Sequence, residues 1–192
     1  MIAVVKYNAG NIRSIMNALE RLGVEAILTE DPAVLKQADK IIFPGVGEAS
    51  TAMNYLKNKG LDQVLKQIQQ PFLGICLGMQ LMCRFSEENE TECLGIFPRK
   101  VRKFPPLGKV PHMGWNDFTN VEGTLFEGIN LEDDMYFVHS YFVEVGEETT
   151  ATTDYLLPFS AALQKDNYYG VQFHPEKSAA VGQRLLQNFL NL

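Results

Sequence analysis

Short, continuously apolar runs alternate with helical patterns through the first 85 residues, and this alternation restricts the fold more than any other feature. Ile2–Tyr7 is such a run and ends at Asn8-Ala9-Gly10, a turn signal. Asn11 to Leu22 then places Ile12, Ile15, Met16, Leu19 and Leu22 at the spacing of a helix with one buried face, stopped by Gly23. Val24–Leu28 reads as a second strand. Asp31-Pro32 opens a second helix, with the aspartate as cap and the proline at the first helical position. Lys40–Phe43 is a third strand, halted by Pro44-Gly45-Val46-Gly47; helical patterns cover about 49–58 and 60–69. Phe72–Ile75 is a fourth strand, and a further helix is expected over Gly78–Phe85. Strands this short and apolar on both sides, each followed by a helix, form a parallel sheet covered on both faces. Ligands of such sheets bind at the carboxyl ends of the strands.

The second half is richer in strands, expected at Lys109–Phe118, Met135–Val143, Thr149–Thr153, Ser160–Gln164 and Tyr168–Phe173, with a closing helix over Ser178–Leu190. No repeat, low-complexity tract or linker interrupts the 192 residues, so one domain over 1–192 is the simplest expectation. The net charge of −6 argues against nucleic acid and anionic membrane as partners, because both require a basic face. A local basic cluster, Arg99, Lys100, Arg102 and Lys103, carries no motif. Met1 to Lys6 reads as a strand and not a signal peptide, and Pro71–Phe85 is too short to span a bilayer, so a cytoplasmic location is expected. Cys76, Cys83 and Cys93 are odd in number and unevenly spaced, which gives neither a disulfide framework nor a zinc site.

One of these cysteines stands apart. Phe72–Ile75 runs into Gly74-x-Cys76-x-Gly78, the layout of a nucleophile elbow, in which small flanking residues permit a tight strand-to-helix turn. The turn puts the sulfur at a helix start, where backbone N–H groups and the helix dipole favour negative charge. Cys83 and Cys93 lack this setting and are expected to be structural. Of three histidines, His174 follows the apolar strand Tyr168–Phe173 and has Glu176 two residues on, with Pro175 stiffening the backbone between them. Cys76, His174 and Glu176 thus supply a nucleophile, a base and an acid that orients the base. His112 and His139 are expected to be structural. For an oxyanion, the N–H of Leu77 and one from the Pro44–Gly47 loop, that of Val46, are the candidate donors.

These segments together resemble the class I, or triad, glutamine amidotransferase family. The matching blocks are Pro44-Gly-Val-Gly47, Gly74-Ile-Cys-Leu-Gly-Met-Gln80 and Gly170-Val-Gln-Phe-His-Pro-Glu176. The resemblance implies a three-layer, flavodoxin-like α/β fold, a Cys76–His174–Glu176 triad, no metal or cofactor, and glutamine held by Gly45, Gly47, Gln80, Ser140 and Tyr141. Within the family, Tyr7-Asn-Ala-Gly-Asn11, Val110-Pro-His-Met-Gly-Trp-Asn116, Tyr136-Phe-Val-His-Ser-Tyr141 and Glu176-Lys-Ser178 resemble the glutaminase subunits of imidazole glycerol phosphate synthases. That narrower resemblance implies a heterodimer with a (β/α)8-barrel cyclase subunit that receives the ammonia. Asn11, Trp115, Tyr136 and Lys177 would lie near this partner. Arg99 stands where the family pattern suggests a glycine after Pro98. Rival readings are an amidotransferase subunit of another synthase, a stand-alone cysteine hydrolase and a non-catalytic subunit.

Overall fold

The computed structural model describes residues 1–8 and 11–192; Ala9 and Gly10 of the expected first turn lie outside the described residues. The elements up to the elbow are β1 (Ile2–Val5), α1 (Ile12–Arg21), β2 (Ala26–Thr29), α2 (Pro32–Gln37), β3 (Lys40–Gly45), α3 (Ala49–Asn58), α4 (Leu61–Leu65) and β4 (Phe72–Cys76). After it come α5 (Leu77–Met82), β5 (Cys83–Ser86), β6 (Thr91–Glu92), β7 (Phe97–Lys103), β8 (His112–Asn116), β9 (Asn120–Val121) and β10 (Met135–His139). The chain ends with β11 (Tyr141–Val143), β12 (Thr149–Tyr155), β13 (Leu157–Lys165), β14 (Tyr168–Val171) and α6 (Ala179–Asn191).

The main sheet has eight strands in the order β2-β1-β3-β4-β14-β13-β12-β9. Its first five are mutually parallel and have the flavodoxin-like order; β13, β12 and β9 extend it antiparallel. Alternation along each strand builds two cores. Ile2, Val4, Ile42, Leu73 and Ile75 face α1 and α6, whose Ile15, Leu19, Leu185, Leu186 and Phe189 are buried there. Ala3, Val5, Ile41, Phe43 and Phe72 face α2, α3, α4 and α5. Period-2 strands between period-3.6 helices therefore give the three layers expected.

Local signals read from sequence hold at several termini. Asp31 Oδ1 accepts from the Ala33 N–H at 2.8 Å, with Pro32 opening α2. Gly23, at φ 72°, closes α1 in the left-handed conformation that favours glycine.

Other expectations need correction. The helix expected over Gly78–Phe85 stops at Met82, and Cys83–Ser86 is a strand. Cys83–Ser86 joins a second sheet, of order β11-β7-β5-β6, with Cys83 fully buried, so tertiary packing overrides the helical pattern. The basic cluster lies on β7, between β11 and β5, with Val101 buried and Arg99 paired with Glu148. Arg99 thus occupies a strand, not the turn that called for glycine. The single strand expected over Met135–Val143 is two: β10 pairs with β8 in a ribbon, and beyond Ser140 β11 joins the second sheet. The helix at 60–69 is confined to Leu61–Leu65, and the second strand starts at Ala26.

Candidate active site

Sheet register brings the site together. Gly45 on β3 pairs with Cys76 on β4, and Val171 on β14 pairs with Ile75. The carboxyl ends of three neighbouring parallel strands thus carry the Pro44–Gly47 loop, Cys76 and the Gln172–Glu176 segment.

Cys76 has φ 53° and ψ −112°, a strained conformation for a residue with a Cβ, and it directly precedes α5. The flanking glycines make this turn possible. A Cβ on Gly78 would stand 1.8 Å from the Phe43 carbonyl oxygen, and one on Gly74 would stand 2.9 Å from the Met79 nitrogen. Helix α5 therefore presses on β3 and on its own strand with no room for a methyl group. The cysteine is 6% exposed and opens onto a cavity of about 330 Å³ lined by Val46, Gly47, Leu77, Gln80, Glu88, Pro111, Val138, His139, Ser140 and Tyr141. This is at the small end of the range for ligand sites.

His174 and Glu176 lie behind the cysteine, their side chains almost fully buried. His174 Nδ1 and Glu176 Oε1 are 2.8 Å apart. The Asn11 amide also donates to Oε1. Burial pushes the imidazole down, but negative charge on Cys76 and on Glu176 outweighs it and raises His174 to about 10. Nε2 of His174 and Oε2 of Glu176 have no hydrogen-bond partner among the described residues. The short turn Pro175–Lys177 holds this geometry against β10: His174 N–H donates to Tyr136 O at 2.9 Å, Ser178 Oγ donates to His174 O at 2.6 Å, and Tyr136 N–H donates to Ser178 Oγ at 2.9 Å.

The remaining expected residues divide. Val46, Gly47, Leu77, Gln80, Ser140 and Tyr141 line the cavity beside Cys76. Gly45 does not line it; a Cβ there would stand 2.2 Å from the Tyr7 hydroxyl, which donates to Pro44 O at 2.7 Å and braces the loop. Gln80 is buried, and its amide nitrogen donates to Tyr141 O at 3.0 Å and to Gln172 Oε1 at 2.8 Å. Trp115, Tyr136 and Lys177 form a separate outer cluster, with Trp115 54% exposed and edge-on to Tyr136, and the Lys177 ammonium 5.9 Å from the Tyr136 ring centroid. Asn11, expected with them, reaches inward to Glu176.

Two residues near Cys76, Gln172 and Glu88, escaped the sequence reading, and a third, His139, was expected there to be structural. Gln172 points its amide nitrogen at Cys76 Sγ, 3.7 Å away. Its place in Gly170-Val-Gln-Phe-His, two residues before His174, was the available signal. Glu88 enters the cavity from the loop before β6, its Oε2 accepting from Ala49 N–H at 2.8 Å; burial raises its carboxyl, against that bond. His139 faces the same cavity. Glu88 had no local signal; His139 stood within the Tyr136–Tyr141 block.

The family model for glutamine amidotransferase class-I matches residues 3–192. The chain belongs to the class-I glutamine amidotransferase family. It is 60% identical over 194 residues to the imidazole glycerol phosphate synthase subunit HisH of Bacteroides fragilis, covering all of this chain and 99% of that protein. The protein of the same name from Vibrio cholerae is 46% identical over 202 residues, covering 100% and 98%. Among solved structures, PurLQS from Thermotoga maritima contains a chain that superposes with a TM-score of 0.74 at 19% identity, covering 99% of this chain and 97% of that one. This last likeness bears on the fold alone. No helix among the described residues is long and apolar enough to cross a membrane, and the described residues hold no cluster able to bind a metal ion.

Proposed function

We propose that this chain is the glutaminase subunit of an imidazole glycerol phosphate synthase, acting as one domain over residues 1–192 in the cytoplasm. The observation that carries the reading is the strained Cys76 opening onto a small cavity in front of a buried His174–Glu176 pair. Full-length identity to proteins named as subunits of that synthase supports the choice.

Cys76, as thiolate, attacks the side-chain amide carbon of glutamine. The oxyanion is received by the N–H of Leu77, one of those a helix start leaves without an intrahelical acceptor, and by that of Val46 in the Pro44–Gly47 loop. His174, held protonated by its neighbours, gives a proton to the departing nitrogen. Ammonia leaves, and a water deprotonated by His174 then hydrolyses the γ-glutamyl thioester to glutamate. Glu176 orients the imidazole throughout, and Asn11 orients Glu176. Glu88, also in the cavity lining, offers a carboxylate for the substrate ammonium, and Gln80, Ser140, Tyr141 and Gly47 line the same space. The ammonia passes to a (β/α)8-barrel cyclase subunit docked over Trp115, Tyr136 and Lys177.

Cys76→Ala in the assembled synthase is expected to abolish glutamine-dependent turnover while sparing turnover with free ammonium. Equal loss of both rejects the reading.

A further inference from the structure

His112 and His139 take no part in this chemistry, yet both are buried and belong to one hydrogen-bonded line that ends at the nucleophile. The direction of the line follows from a single atom. The Tyr141 carbonyl can only accept, so His139 Nδ1, 2.7 Å from it, carries a hydrogen. Burial pushes His139 down to about 3 and His112 down to about 4, so both rings are neutral around pH 7 and hold one hydrogen each. His139 Nε2 therefore accepts, and its donor is His112 Nδ1 at 3.0 Å. His112 Nε2 in turn accepts from the Asn116 amide at 3.3 Å, an amide anchored to Asp154 O at 3.1 Å.

The same Tyr141 carbonyl also accepts from Gln80, whose second N–H donates to Gln172, whose own amide points at Cys76 Sγ. Tyr141 lies just past the point where the chain leaves the β8–β10 ribbon for the second sheet. The β11–β7 ladder holds the backbone on either side, with Tyr141 opposite Lys103 and Phe104 N–H donating to Ser140 O at 3.1 Å, and two side chains, His139 and Gln80, donate to the Tyr141 carbonyl itself. His139 and Tyr141 both line the cavity.

We infer that His139, backed by His112 and Asn116, is a positioning residue for glutamine: it fixes the Tyr141 carbonyl on which the Gln80–Gln172 amide pair aligns toward Cys76. The inference rests on the proposed function, in that the cavity takes glutamine. The hydrogen bonds of His139 run to His112 and the Tyr141 carbonyl and not to Cys76, so it acts through Tyr141.

The test uses the chain assembled with its cyclase partner. His139→Phe keeps an aromatic ring among Phe104, Phe137 and Phe159 but removes both nitrogens. His139→Asn retains an N–H where Nδ1–H stands. We expect His139→Phe to raise KM for glutamine about tenfold, the worth of one buried hydrogen bond, with kcat within about threefold of wild type. His139→Asn should recover most of that loss. An unchanged KM in His139→Phe, or a fall in kcat alone that tracks the folded fraction, overturns the inference. Nitrogen-15 NMR of histidine-labelled wild-type chain gives a readout independent of turnover and of variant folding. It should find both rings neutral with hydrogen on Nδ1; hydrogen on Nε2 of His139 overturns the line. A wild-type assembly without glutaminase activity removes the proposed function and this inference together. An active wild type with an unaffected His139→Phe removes this inference alone.

Discussion

Glu176 places a carboxylate where water cannot reach it, and a buried charge persists only when paired. Its pair is His174, raised to about 10 from an ordinary 6.5. A group whose folded value is raised contributes stability that is complete below its unfolded value and is lost as pH climbs through the folded one. The melting temperature should therefore fall as pH rises from about 6.5 to about 10, and less steeply in Glu176→Gln, where one source of the raised value is gone. The same variant should lower kcat/KM on the order of a hundredfold and move the alkaline limb of its pH profile to lower pH, since the imidazolium then loses its proton more easily. Asn11 adds a test of the support behind Glu176. Its φ of 71° suits Asn or Gly, so Asn11→Gly keeps the backbone and deletes only the amide that bonds Oε1. We expect a loss of about tenfold or more in glutaminase kcat/KM, the scale of a hydrogen bond to a charged group. An effect on partner affinity with catalysis intact would return Asn11 to the interface.

At the scale of elements, the elbow is a problem of close approach. Helix α5 sits so near β3 that a methyl group on Gly78 would overlap the Phe43 carbonyl, which is backbone and cannot move aside cheaply. Gly78→Ala should cost about 3 kcal/mol or more in urea unfolding, or leave no folded chain. Gly23→Ala is the contrast. It meets no atom within 4 Å and suffers only from φ of 72°, so about 1–2 kcal/mol is expected. The Gly-x-Cys-x-Gly spacing made this element legible, because it requires small residues at two fixed places. The neighbouring segment was not legible. Leu81 to Phe85 is apolar enough for a helix, and only its burial against β7 and β6 makes Cys83–Ser86 a strand. Cys83 is there an inert thiol, pushed up by burial, in keeping with the structural role read from its sequence setting.

For the whole molecule, the outer cluster of Trp115, Tyr136 and Lys177 adjoins the segment that carries His174 and Glu176. Met113 and Trp115 are 56% and 54% exposed on one side of β8, an uncommon setting for large apolar side chains. Trp115→Ala should weaken association with the cyclase by about thirtyfold in calorimetric titration, while shifting the chain's own stability by less than about 1 kcal/mol. An unchanged affinity would place the partner elsewhere. The sequence by itself determined the three layers, since apolar periodicity sets which faces must be covered. It also singled out Cys76, His174 and Glu176 as the proposed nucleophile, base and acid, because each chemistry admits few residue types and the spacings are local. Only the tertiary structure decided that β14 lies beside β4, which sets Gln172 against Cys76, and that Glu88 and His139 line the cavity from separate elements. Those contacts join residues dozens of positions apart, and no pattern within a short window can register which distant backbone carbonyl a buried side chain will meet.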